Sequence, residues 1–311
     1  MTASFRILIV FFFILPVWIF HTPAHGQGPV AQTSAPSVVL FDLPREISLC
    51  GERVPLERQD VWEYLDQIFI SSVYNEAQVI LWIKRAHRYF PYIENRLQER
   101  KMPDDLKYVV IVESALKTYA TSSAKAVGPW QFMNGTAKRY GLRVDKWIDE
   151  RRNFERSTDA ALSYLSDLYK MFGKWNLAIA AYNCGENKMA RCRIFQESDH
   201  FYDTDLPLET EAYIFRILAA KMILSNPEFY GYHIPETHRY PPLLYDQIDL
   251  SLSREISLMT IARAADVSFK TIKEMNPEFL QDSLPSGRFM LRIPKGQTQK
   301  FKDAFMKATA N

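Results

Sequence analysis

The sequence predicts a mainly α-helical protein: a large helical domain over residues 55–226 and a small α+β module over residues 248–296. Two patterns point there. Apolar residues recur at three- and four-residue spacing through most of the first stretch, and beyond Pro227 the pattern changes to strand, helix, helix, strand. A chain of 311 residues, 47% hydrophobic and 14% aromatic, suits one large ordered domain with a small companion.

Residues 1–26 are expected to stand outside the fold. Arg6 precedes an apolar run from Ile7 to Phe20 that Pro16 interrupts, and Ala24-His25-Gly26 has the small-x-small form of a cleavage site. The run is short of the roughly 20 residues that cross a bilayer, so a secretory signal peptide is expected, with an uncleaved anchor as the alternative. No cysteine lies near the cut, so no lipoprotein anchor is expected. The mature chain would start near Gln27, pass through a leader over 27–54, and reside in the periplasm or against the envelope.

Within the helical part, Val61, Leu65, Ile68 and Phe69 form one apolar face, and Val79, Trp82, Ile83, Ala86 and Phe90 form another. Pro103-Asp104-Asp105 reads as a helix start, with acids at the positive end of the helix dipole. A turn-rich span over 118–128 precedes a short helix expected from near Trp130 to before Gly141. Ala161, Leu165, Leu168 and Phe172 mark a helix that Gly173 stops. A further helix is expected over 175–182, broken by Asn183-Cys184-Gly185, and a last long one over 209–224. Residues 227–247 read as a linker. The module then has a strand from Ile248, a helix over 259–265, a second helix capped by Ser268, and a strand over 289–293, followed by a tail over 297–311.

Charge and composition exclude several functions. A net charge of +2 gives no ground for nucleic-acid binding. Six scattered histidines without a CxxC or HExxH pattern give no ground for a metal site, and no cofactor is expected. Cys50, Cys184 and Cys192 cannot all pair within one chain. Cys184 and Cys192 are near enough in sequence to bridge a turn, which the sequence leaves open.

Chemistry concentrates around Glu113. It follows Tyr108, Val109, Val110, Ile111 and Val112, so its carboxyl is expected where water is scarce. Desolvation raises a carboxyl pKa, and an acid protonated near neutrality can donate to a glycosidic oxygen. Glycoside cleavage usually employs two carboxylates, yet no second acid follows until Asp145. That gap means either no enzyme or a reaction in which the substrate supplies its own nucleophile. Three further clusters have groups that hold a sugar: Gly128-Pro129-Trp130-Gln131, Asn183 after Ala181-Tyr182, and Tyr213 within LPLETEAYIF.

The order and spacing are more specific than any one cluster. Glu113-Ser114 is followed by Ser122 nine residues on, by Gln131 nine further within GxxQxM, then by AYNxG and by a late Tyr in an ETxxY context. This resembles the family 1 lytic transglycosylases, whose domain is goose-lysozyme-like, and within them the membrane-bound D type. The likeness extends over roughly 55–294 and includes FPYIENRLQERKMPDDLKYVVIVES and LPLETEAYIFRILAAKMIL.

The resemblance implies a lysozyme-like catalytic domain in which Glu113 is the sole catalytic acid and base. Ser122 and Gln131 would contact the substrate at the scissile bond, Tyr182 and Asn183 would line the cleft, Met133 would form part of its floor, and Tyr213 would orient Glu113. The reaction implied is non-hydrolytic cleavage of the MurNAc–GlcNAc bond of peptidoglycan, ending in 1,6-anhydroMurNAc. Glycan strands are the expected partner, with other wall enzymes as candidates, and a monomer is expected. Pro129, Asn134-Gly135 and Cys184 depart from the family pattern without removing a functional group.

The segments IARAADVSFKTIKEMNPEF and LPSGRFMLRIPKG resemble a LysM module, but SREISLMT stands where such modules open with a GDT-type turn. Glycan binding and a purely structural buttress are both open for it. Two other functions stay open for the whole chain: a goose-type lysozyme that uses water, and a non-catalytic wall-binding protein.

Overall fold

The computed structural model describes residues 39–309. The expected signal peptide and residues 27–38 of the expected leader lie outside the described residues. From Asp42 onward the chain is one compact unit.

A two-stranded antiparallel hairpin, β1 (Ser48–Leu49) with β2 (Glu52–Arg53), opens it. Helices α1 (Gln59–Val73) and α2 (Glu76–Glu99) follow, and Asn75 caps α2 by accepting from the Gln78 amide at 3.3 Å. A 3-10 turn over Asp104–Tyr108 leads into the short α3 (Val109–Ser114). After a long loop come α4 (Asn134–Arg139), α5 (Phe154–Phe172), α6 (Trp175–Cys184), α7 (Glu186–Gln196) and α8 (Leu208–Ser225). Asn153 caps α5, and Gly173, at φ +72°, ends it in the left-handed conformation that glycine tolerates.

Two helices are apolar on nearly every side and therefore lie inside. On α8, Ala212 through Phe215, Ile217 through Ala220, Met222 and Ile223 are all buried, and on α6 so are Leu177 through Ala181. The aromatic face of α1 meets α8, with the Tyr64 and Phe215 rings 4.7 Å apart. This central placement of α8 carries Tyr213 into the interior.

The C-terminal module pairs β3 (Tyr245–Leu252) with β6 (Gly287–Pro294) over eight antiparallel residue pairs. Alternation sends Ile248, Leu250 and Leu252 inward, where they meet Phe289, Leu291 and Ile293. Helices α9 (Leu258–Ala264) and α10 (Phe269–Met275) cover this face, and β4 (Ile256–Ser257) pairs with β5 (Ser283–Leu284). Ser268 caps α10 through the Thr271 amide at 3.0 Å, as its sequence predicts. The stretch expected as a tail forms α11 (Thr298–Thr309), and its Phe301 is buried in the module's core.

Module and helical domain share buried surface. Ile148 belongs to the module's hydrophobic core and pairs in a bridge with Phe279. The Asp149 and Leu280 amides donate to the Glu278 and Trp147 carbonyls, each at 2.9 Å. Buried Glu278 accepts from Asn153 at 2.7 Å and from Arg292 at 3.1 Å, and Arg292 also reaches Glu155 at 2.6 Å. Burial raises the Glu278 pKa, against the opposing pull of Arg292. An apolar cavity of about 210 Å³ at this junction is lined by Phe154, Pro242, Met275 and the paired Glu155 and Arg292. The segment expected as a linker packs down α2, with the Tyr240 amide donating to Lys84 O and Arg88 to Pro241 O.

Removing one partner of a buried pair strands the other charge. Arg292→Ala is expected to lower unfolding free energy by about 3–5 kcal/mol in denaturant titration at neutral pH. Arg53→Ala, which breaks an exposed pair with Glu57, should leave the midpoint unmoved.

Candidate active site

Glu113 occupies the last turn of α3, and the chain leaves it abruptly. Ala115 (φ +51°) and Leu116 (φ +62°) are consecutive non-glycine residues in the left-handed region, and Lys125 and Gln131 on the same loop share that conformation. Such backbone persists only when surrounding contacts hold it, and these contacts are specific. Ser114 donates to Pro129 O at 2.7 Å, Tyr182 to Trp130 O at 2.8 Å, and the Gly128 amide to Ala120 O at 2.9 Å. Trp130 is fully buried and donates its indole N–H to Thr158 at 2.9 Å. Buried Arg151, paired with Asp149, donates to Phe132 O at 3.1 Å. Gly128 lies so close to this strut that a β-carbon would stand 1.8 Å from Arg151 O, at φ +87°. Only glycine fits there.

Because the Gly128–Gln131 turn is held this way, the helix expected from Trp130 begins only at Asn134. Likewise α6 continues through Asn183 to Cys184 and ends at Gly185 (φ +86°). All three cysteines are free.

The loop walls one side of a cleft of about 660 Å³. Glu113, Ser122 and Gln131 all line it, and among the described residues Glu113 is the only carboxylate that does. Tyr213 donates to Glu113 Oε1 at 2.5 Å. Burial drives the Glu113 pKa from 4.5 up to about 7; the Tyr213 hydrogen bond pulls it down and the charge of Glu209 adds to the rise. Burial wins that contest, so the carboxyl titrates near neutrality. The phenols of Tyr182 and Tyr213 are held far above their usual range, first by burial and then by the charge of Glu113. Tyr182 therefore belongs to the same electrostatic environment.

The remaining sequence candidates are placed differently. Ser122 Oγ accepts from the Ala126 amide at 3.0 Å, closing a tight turn at the cleft wall. The Gln131 amide nitrogen folds back to Gly128 O at 2.6 Å. Asn183 is tied to α8, its carboxamide oxygen accepting from Thr210 at 2.9 Å, and is not on the cleft lining. Met133, expected on the floor, is instead exposed at the start of α4, where extended backbone leads into the helix.

Sequence reading missed the opposite wall. Ser71, Asn75, Gln78 and Trp82 from α1 and α2, together with Arg216 from α8, also line the cleft. Arg216 lay within reach: it stands three residues after Tyr213 on a mostly apolar helix, a spacing that puts the two on one side of it. The α1 and α2 residues offered no such signal, because only tertiary packing brings them opposite Glu113. Among the described residues, no cluster of three or more His, Cys, Asp or Glu is placed to hold a metal.

Residues 90–200 match the Transglycosylase SLT domain, and residues 246–309 match the LysM-like domain of lytic transglycosylase MltD. The chain thus carries a Transglycosylase SLT domain followed by a LysM-like domain. More particularly, its module is of the MltD type. Over 226 residues it is 33% identical to membrane-bound lytic murein transglycosylase D of Escherichia coli (strain K12), covering 71% of this chain and 49% of that protein. The chain therefore spans about half the length of the curated relatives it matches. Solved structures similar to it include lytic transglycosylase Slt of Pseudomonas aeruginosa, with 18% identity, 59% of this chain and 31% of that one covered, and a TM-score of 0.37. The 70 kDa soluble lytic transglycosylase of Escherichia coli gives 19%, 58%, 33% and 0.36 for the same quantities.

Tyr213→Phe deletes the hydrogen bond that lowers the Glu113 pKa while leaving the ring in place. Its carboxyl should titrate above the parent value of about 7, read by carbon-detected NMR of labelled glutamate. An unchanged midpoint would show that the phenol does not act on the acid.

Proposed function

We propose that the protein is a peptidoglycan lytic transglycosylase, cleaving the MurNAc-β-1,4-GlcNAc bond without net hydrolysis. The observation that carries this reading is the lone carboxyl of Glu113, desolvated, bonded to Tyr213 and titrating at about 7 in a cleft lined by no second acid.

Such a group can serve twice. Protonated, Glu113 gives its proton to the glycosidic oxygen as the C1–O bond breaks, and the N-acetyl oxygen of the same MurNAc assists at C1. Ionised, it accepts the proton of that sugar's C6 hydroxyl, whose oxygen bonds to C1 and closes the 1,6-anhydro ring. The proton lent in the first step returns in the second, and no water is consumed. Intramolecular attack benefits from a high effective concentration, which removes the need for a second carboxylate.

Ser122 and Gln131 are assigned to contacts beside the scissile bond, Tyr182 to the cleft wall, and Tyr213 to orienting Glu113. Asn183 is tied to Thr210 and Met133 is exposed away from the cleft lining, so neither is assigned a substrate contact. Glycan strands of the wall are the substrate, with other wall enzymes as candidate partners. Residues 1–26 would direct the chain to the periplasm. No helix among the described residues is long and apolar enough to cross a membrane.

Mass spectrometry of digested sacculi should show 1,6-anhydro ends; reducing ends would replace this reading with a hydrolytic one. Glu113→Gln is expected to lower the rate by about 10³-fold or more, and cleavage at the parental rate would remove the catalytic assignment.

The pH dependence follows with a definite sign. The first step needs the protonated acid, so kcat/KM should decline as pH rises through about 7. Between pH 4.5 and about 7 the folded protein holds a proton that the unfolded chain has released, so the Glu113 contribution to stability falls as pH rises. Glu113→Gln removes that penalty and should be more stable than the parent at pH 8, with the gap closing toward pH 4.5, by thermal unfolding at each pH.

A further inference from the structure

Behind the loop that walls the Glu113 cleft stands a buried ion pair that the proposed chemistry does not use. Arg151 and Asp149 are 7% and 4% exposed. Two bonds of 2.8 Å join them, the guanidinium Nε and Nη2 each donating to one carboxylate oxygen. Neither residue is on the cleft lining. Stability alone is a poor reason for such a pair. Taking both charges out of water is costly, and apolar side chains of the same volume often serve a fold as well or better. What they cannot do is bond a carbonyl.

The remaining arm of Arg151 does that on the loop. Its Nη1 donates to Phe132 O at 3.1 Å and to Lys125 O at 3.3 Å. Both acceptors border strained backbone: Lys125 itself has φ +68°, and Gln131, next to Phe132, has φ +49°. Phe132 O also accepts from the Val127 amide at 3.1 Å, so the guanidinium joins the point where the turn closes on itself. The side chains of Ser122 and Gln131 leave this stretch for the cleft. Its other edge is fastened beside the acid, where Ser114 donates to Pro129 O at 2.7 Å.

The pair is braced in turn. Asp149 accepts from the Arg151 amide at 3.2 Å, and its own amide donates to Glu278 O of the C-terminal module at 2.9 Å. Tyr119, on the same loop, donates to Lys273 O of the module at 3.2 Å.

Arg151 does not act on the acid by its charge. Burial, the Tyr213 bond and the charge of Glu209 shift Glu113, and no cation is among them. Tyr182 on α6 and Lys117 and Arg216 on the cleft lining are the other titratable groups around that carboxyl. The remaining route is geometric. A loop held in place keeps water from the carboxyl, and loss of water is the first cause of its raised pKa.

We propose that Arg151 is a positioning residue for Glu113, and that the Asp149–Arg151 pair holds the loop over 115–133 in the form that shields the acid. The effect on rate rests on the proposed reaction; the effect on the acid does not.

The test uses the full chain. Arg151→Ala would strand a buried carboxylate, so the informative variant is double, Asp149→Asn with Arg151→Met. It removes both charges while keeping their volume and the side-chain oxygen that caps the 3-10 turn over Glu150–Arg152. Carbon-detected NMR of labelled glutamate, without substrate, should place its Glu113 midpoint below the parental value of about 7. Arg151→Lys keeps a cation against Asp149 but not the planar fork, and its midpoint should fall between the two. On sacculi the double variant should lose about ten- to a hundredfold in kcat with KM changed by less than about threefold. The decline of kcat/KM with rising pH should shift to lower pH together with the midpoint. A double variant that melts cooperatively and keeps the parental midpoint would overturn the inference whatever its rate, as would a loss carried by KM alone. Absence of anhydro ends from sacculi treated with the parent would overturn the proposed reaction and leave the titration result standing.

Discussion

The exclusion of water from one carboxyl is the constraint on which the rest of this structure depends. Glu113 is pushed toward its neutral form by burial and drawn back by a single phenol, and the balance falls at about pH 7. Such a position must be built from outside. Tyr213 reaches the acid because α8 is apolar over most of its surface and is buried in the domain's interior. Tyr182 stands nearby because α6 is buried in the same way. The loop that completes the enclosure holds four non-glycine residues at positive φ, a conformation that costs about 1–3 kcal/mol for each where nothing compensates. Ser114, Tyr182, Trp130 and Arg151 supply the compensation, and each bonds a loop carbonyl or fills the space behind it.

The support continues into the C-terminal module. Arg151, which holds Phe132 O, is fixed by Asp149, and the Asp149 amide donates to the module's Glu278 carbonyl. The Glu278 carboxylate in turn bonds Asn153, the cap of α5. Ile148 lies in the module's own core. A contiguous set of buried bonds thus joins the module to the cleft wall, which gives the module a structural role whatever it binds. Helix α11 contributes by closing that core with Phe301, so the last turns of the chain are part of the same support.

Much of this was legible because it follows from periodicity. The faces of α1, α2 and α5, the long helix α8, the strand at β3 and the Ser268 cap are local patterns with local consequences. Glu113 and its spaced companions were legible as a motif. What escaped depends on distant contacts. Helix α7 has little amphipathic contrast and buries only Met189, so no stripe announced it. The Gly128–Gln131 turn was read as the start of a helix because nothing in its residues reveals Arg151 pressed against Gly128. The wall formed by Ser71, Asn75, Gln78 and Trp82 lies 31 to 42 residues upstream of Glu113 and joins the same cleft only after α1 and α2 have packed. Trp82 also keeps an indole N–H without an acceptor among the described residues, which a sequence cannot express.

The overall charge of +2 conceals a division of labour that the chemistry requires. An opposite charge within about 4–6 Å of a carboxyl favours its ionised form and lowers its pKa by one to three units. Had Lys117 or Arg216 been brought against Glu113, the acid would have lost its proton well below neutrality and could not begin a proton-donating reaction at pH 7. The cations on the cleft lining must therefore stand clear of the acid, and no cation is among the groups that shift it. They are mounted on the loop after α3 and on the exposed face of α8, whereas Glu113 faces a phenol and apolar side chains. Separation of these charges from the acid, rather than the number of either, is what lets a cleft lined by cations still hold a proton near neutrality.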